Sequence, residues 1–147
     1  MSTRANVTIT DGQDTLWFYR HSDGYPSGTL PTLQKFCNLV LDGDIRDNTS
    51  QAAGWLISIG QTEYSGQSTG HGVNWKVGAY EPTMGMHGDI EFLYEINLQD
   101  KMLNIMDIKN KGEILIGIRF TELLNMNSED FTDIEKRAYE LMEKYYD

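Results

Sequence analysis

Only one cysteine, Cys37, stands in the 147 residues. No disulfide can close within the chain and no cysteine-rich zinc cluster can be built, which suits a reducing cytoplasm. Positive charge is also short: 12 Lys and Arg stand against 22 Asp and Glu, for a net charge of −10. That balance opposes binding to phosphate backbones, since counterion release needs clustered cations, and direct contact with nucleic acid is not expected. No run of 18 apolar residues occurs, and the opening MSTRANVTIT has no apolar signal-peptide core. Neither membrane insertion nor export is expected. The sequence also lacks a P-loop, GxGxxG, an EF-hand loop and the histidine spacings HxH, HExxH and HxxxH, so the local signatures of nucleotide and metal chemistry are missing.

What is present describes one globular domain over 1–147. Hydrophobic residues make up 39% and charged residues 23%, enough apolar material for a core at a length where a single domain is usual. The acidic excess serves solubility or, alternatively, docking to a basic protein surface.

Residues 5–9 alternate, with Ala5, Val7 and Ile9 on one face, and 15–21 are rich in aromatic strand formers. The DGQD between them makes an N-terminal β-hairpin the expectation, its second strand covered on both sides. Leu33, Phe36, Cys37, Val40 and Leu41 then take helical spacing, with Pro31 in the first turn and Gly43 closing the helix. A second helix is expected over 49–60, capped by Thr49 or Ser50, although LISI also suits a strand. Half of the glycines fall between Gly60 and Gly88, around a short strand candidate, NWKVGAY. Alternation in DIEFLYEINL, KMLNIMDI and EILIGIRF, joined by short polar connectors, predicts an antiparallel meander. The C-terminal segment reads as a helix, with Thr132 and Glu135 as a capping box and a stripe of Phe131, Ile134, Ala138, Leu141 and Tyr145. The expected fold is α+β: a mostly antiparallel sheet with an N-terminal hairpin, two central helices, a strand meander and a C-terminal helix.

Chemistry-bearing residues concentrate in YRHSDGYPSG, residues 19–28. In one account it is a corner: Asp23 builds an Asx-type turn, Gly24 takes positive φ, and Tyr25 covers the end of the hairpin. In the other it is a site. Histidine as a residue type ordinarily titrates near neutrality, and Asp23, two residues after His21, is placed to orient its ring, which makes these two the catalytic candidates. Arg4, Asn6, Arg20 and Tyr25 are the ligand-binding candidates, Arg4 and Arg20 supplying an anion-binding element for a phosphoester or nucleotide. His71, His87 and Asp89 add ligands for a divalent ion only if their loops converge, so neither a metal nor another cofactor is expected. Cys37, on the apolar face of its helix, reads as a packing residue.

The segment Thr3-Arg4-Ala5-Asn6-Val7, an aromatic strand, and then His21-Ser22-Asp23-Gly24-Tyr25-Pro26 resembles a family of small uncharacterised proteins of tailed bacteriophages and prophages. Those chains open on Ser/Thr-Arg-x-Asn and end a hairpin in His-x-Asp-Gly-Tyr-Pro. Ser22 stands where an aromatic is usual, and the likeness covers 3–36. It implies an accessory protein acting in a bacterial cytoplasm, with Arg4, Asn6, His21, Asp23 and Tyr25 gathered into one cluster. The functional expectation is a binding protein for a host or phage protein with a basic surface; the alternative is a small enzyme or phosphate-binding protein using His21, Asp23 and an arginine.

Overall fold

The computed structural model describes residues 3–64 and 78–146. Its elements follow the order β1 (Ala5–Thr10), β2 (Thr15–Arg20), α1 (Pro26–Leu41), α2 (Thr49–Tyr64), β3 (Glu81–Thr83), β4 (Phe92–Asn97), β5 (Met102–Met106), β6 (Ile114–Arg119), α3 (Phe120–Leu123) and α4 (Ser128–Tyr146). The fold class is the expected α+β. One six-stranded sheet runs β3-β2-β1-β4-β5-β6. The hairpin and the meander pair antiparallel, while β1 and β4 run parallel. That parallel pair joins hairpin to meander, because the chain returns to the sheet only after α1 and α2, and a parallel neighbour requires a long crossover of this kind.

Register assigns each strand residue to a face. Val7 lies opposite Phe18 and Tyr94, and Tyr94 opposite Ile105. These side chains form the core with Leu33, Phe36, Leu56 and Ala138 of the helices, so α1, α2 and α4 cover this one face. Asn6, Tyr19 and Leu93 line the opposite, helix-free face, where a smaller apolar cluster gathers Tyr19, Ile90, Leu93 and Met106. The second strand is thus covered on both sides as expected, by helices on one and by the segment after β3 on the other.

Local differences from expectation have local causes. The first helix begins at Pro26 and holds Pro31 inside it, where the ring supplies no N–H for the Ser27 carbonyl. Its end is the expected one: Gly43, at φ +82°, donates to Val40 O at 3.1 Å, and Asp44 N–H to Leu39 O at 2.9 Å, a Schellman closure. LISI is helical, because α2 continues to Tyr64. Its cap is Asn48, whose Oδ1 accepts from Gln51 N–H at 3.3 Å; Thr49 N–H donates instead to Asp11 Oδ2 at 3.1 Å. At α4 the reciprocal box is Asn127 with Asp130, at 2.9 and 3.0 Å, one turn before Thr132. Glu135 is thereby released to cap α1, accepting from Ser27 N–H and Oγ at 3.1 and 2.9 Å. In NWKVGAY, 74–77 lie outside the described residues and 78–80 are not strand; the strand is Glu81–Thr83.

Both sheet edges are blunted. The β3 edge is three residues long and contains Pro82. The β6 edge carries a bulge, Ile105 facing Ile116 and Met106 facing Ile114, with Leu115 extra. Short, proline-bearing and bulged edges are poor templates for further strands.

Candidate functional site

The helix-free face owes its chemistry to the two-residue period of strands. Because Phe18 is committed to the core, Tyr19 emerges on the other side. His21, two residues further, follows Tyr19 to that side and meets its ring edge-on, with centroids 4.5 Å apart. Antiparallel β3 places Glu81 opposite Tyr19, and Glu81 Oε2 lies 2.9 Å from His21 Nε2. The chain after β3 then folds back across the face. His87 stacks on Tyr19, with centroids 3.8 Å apart and planes 15° from parallel. Its Nε2 is 2.9 Å from Thr83 Oγ1, and its backbone N–H donates to Asn6 Oδ1 at 2.8 Å.

Asn6 is fully buried, and its Nδ2 donates to Phe18 O at 2.8 Å, so one amide locks both hairpin and loop. Tyr19 Oη donates to Asp89 Oδ2 at 2.8 Å, and Arg4 Nε lies 3.5 Å from the same oxygen. Burial, then the bond to Asp89, pushes the Tyr19 phenol up to about 12. A buried ring is flanked by the Arg4–Asp89 ion pair and the His21–Glu81 contact, whose four side chains are each between 43% and 49% exposed. Trp17 and Met86 continue the surface on its apolar side, and Met84, between Thr83 and Met86 in the chain, is fully exposed.

Arg4, Asn6, His21, His87 and Asp89 therefore come together. Arg20, Asp23 and Tyr25 do not join them. Arg20 points to the helix side and is fully buried; it donates from Nη2 to Gly28 O at 3.0 Å and from Nε to Asp23 O at 3.3 Å, with its guanidinium 5.0 Å from the Tyr80 ring centroid. Asp23, at φ +57°, is itself the turn residue in the left-handed region, and Gly24 is not at positive φ. The Asp23 carboxylate accepts from Tyr25 Oη at 3.1 Å; that bond, with the carboxylate's charge and burial, raises the Tyr25 phenol. What Gly24 contributes is space: an added Cβ would sit 2.9 Å from both Ala5 Cβ and Thr3 O. The partner of His21 is Glu81 rather than Asp23, since the turn at Asp23 directs its carboxylate elsewhere. His71 lies outside the described residues, and among the described ones no three His, Cys, Asp or Glu side chains are placed to hold one metal ion.

Tyr19, Glu81 and Thr83 belong to the site without having been singled out from the sequence. Tyr19 carried a signal, sharing a strand face with His21; Glu81 and Thr83, on a three-residue strand, carried none. Burial pushes the Cys37 thiol up, as befits a packing residue. No described helix is long and apolar enough to cross a membrane. Searches of family models, curated proteins and solved structures return no match to this chain.

Proposed function

We propose that the chain is an accessory binding protein of the bacteriophage or prophage type, acting in the bacterial cytoplasm on a host or phage protein. Its contact surface in this reading is the helix-free sheet face centred on Tyr19 and His87. The observation that carries the reading is the composition of that face: part-exposed Trp17, Met86 and His87 packed over the buried Tyr19, with the half-exposed Arg4–Asp89 and His21–Glu81 pairs at the margin. Protein interfaces concentrate Tyr, Trp, Met and Arg in this way, with a charged rim. Glu81 and Asp89 outnumber Arg4, so the patch shares the acidic sign of the chain and favours a basic partner surface.

Met84 is fully exposed and follows Thr83, whose hydroxyl meets His87, so Met84→Arg leaves the fold intact while adding a cation beside the patch. Immobilised protein is expected to retain a salt-releasable protein from a bacterial lysate, the Met84→Arg variant to lose it, and Asn125→Arg, on the helix side, to keep it. Equal retention by all three removes this face from the contact.

The His21–Glu81 contact favours a second reading, in which the same residues with Arg4 bind a small phosphorylated ligand. A carboxylate holding Nε2 leaves Nδ1 as the nitrogen to meet substrate. Calorimetric titration with nucleoside phosphates tests it: saturable heat that His21→Gln abolishes supports ligand binding, and no heat at any nucleotide excludes it for those ligands.

A further inference from the structure

The helix-free face carries a second polar feature, away from the Tyr19 stack. Cross-strand pairing sets Thr8 opposite Glu95, Glu95 opposite Asn104 and Asn104 opposite Gly117. Glu95 lies two residues beyond Leu93 on β4, so this row shares the face of Leu93 and Asn6. Asn104 is only 2% exposed. Its Nδ2 donates to Glu95 Oε1 at 3.0 Å, and because a carboxylate only accepts, that bond turns Oδ1 the other way. There Oδ1 is buried with no hydrogen-bond partner, although buried polar atoms of folded proteins are as a rule bonded. It borders the exposed Gly117, where an added Cβ would stand 3.2 Å from Oδ1 and 3.2 Å from the Met102 methyl. Glycine thus leaves a seat beside the orphan oxygen, edged by the Met102 side chain. Among the described residues no cation pairs with Glu95.

We infer that this seat receives an arginine side chain of the protein partner, an inference that rests on the helix-free face being the contact for a basic surface. Charge and hydrogen-bond sense select the occupant. Glu95 supplies a negative charge and Asn104 Oδ1 a second acceptor, so the group that enters must be a cation and a donor at more than one atom. A guanidinium fits both requirements: planar, with five N–H donors, it reaches two acceptors at once and gives up water more readily than an ammonium. One carboxylate and one amide oxygen are too few for a calcium-type ion, and no described cluster of His, Cys, Asp or Glu adds to them. The unbranched Met102 side chain is free to turn aside and lie along the entering group. Strands lie about 4.8 Å apart, which sets Asn104 about 14 Å from Trp17 across Thr8 and Glu95. The seat and the Tyr19 patch therefore fall within the span of one protein interface.

Amide NMR of isotope-labelled protein titrated with Nα-acetyl-arginine amide tests the seat without the partner. The Asn104 side-chain amide and the Gly117 N–H are expected to shift saturably, with an affinity at least about threefold above that for Nα-acetyl-lysine amide. Glu95→Gln should weaken binding at least about tenfold. Gly117→Ala should weaken it as well; it fills the seat at unchanged charge, and so separates a seat from general attraction to an acidic chain. Signals of Asn104 and Gly117 that stay still, that move alike in both variants, or that respond equally to the two probes overturn the inference. The two readings fail separately. If the seat takes no arginine while Met84→Arg still abolishes retention from the lysate, the face stands and the seat falls; if the seat takes arginine while retention ignores Met84→Arg, the seat stands and the Tyr19 patch leaves the contact.

Discussion

Tyr19 and His87 stack 3.8 Å apart, although 68 positions separate them and neither lies on a helix or in a shared loop. The stack places a chain crossing on the helix-free face, and the Tyr19 phenol sits beneath it, bonded to Asp89. Burial and that bond raise the phenol to about 12. A folded-state value above the unfolded value of about 10 means the neutral phenol is the form that folding favours. Its contribution to stability is complete below pH about 10 and is lost as pH rises towards about 12. Absorbance titration near 295 nm should show late-ionising tyrosines, one of which Tyr19→Phe removes; a Tyr19→Phe difference confined to ionisation near pH 10 would contradict the buried, bonded phenol.

Asp11 ties the hairpin to α2. Its carboxylate accepts N–H bonds from Asp14 at 2.9 Å, Gln13 at 3.0 Å and Thr49 at 3.1 Å, and these hold it well below the usual carboxylate range. A depressed value stabilises above the unfolded value of about 3.9 and is lost as pH falls below it. Asp11→Asn is therefore expected to be less stable in urea at neutral pH, with the gap to wild type narrowing below pH about 4. A gap that does not change with pH would assign the effect to packing.

Two glycines of one helix are predicted to answer oppositely. A Cβ on Gly54 meets nothing, while one on Gly60 would fall 2.6 Å from Tyr80 Cδ2 and 3.1 Å from Ala79 Cβ. Gly54→Ala should stabilise the fold by about 0.5–1 kcal/mol through helix propensity. Gly60→Ala should destabilise by about 1–3 kcal/mol through overpacking. Denaturant melts decide both signs.

Tyr94, fully buried, donates to the buried Gly24 carbonyl at 2.6 Å and so pins the corner to the central sheet. Tyr94→Phe leaves that acceptor unpaired, which should cost about 1–3 kcal/mol. Thermal melting is the check, and an unchanged midpoint would mean that water replaces the phenol.

The fold was legible where periodicity spoke: alternation set the hairpin and the meander, and the stripe from Phe131 to Ala138 set α4. Boundaries were less so, because capping depends on which polar side chain finds a free N–H in three dimensions. Glu135, which fits a box with Thr132, instead serves α1 across the core. In the site, Arg4, Asn6 and His21 could be gathered because hairpin pairing is local. The true partner of His21 could not be found, since Glu81 reaches it from 60 positions away on a strand too short to alternate visibly. Arg20 was misplaced for a simpler reason: adjacent strand residues face opposite ways, so a guanidinium beside His21 in sequence lies on the other side of the sheet.

The most direct test of the proposed contact surface is hydrogen exchange on the protein alone and with the salt-releasable protein it captures from a bacterial lysate. The account predicts new protection over residues 17–21 and 81–91, with α4 unchanged. Protection confined to α4, or to α2, would contradict it.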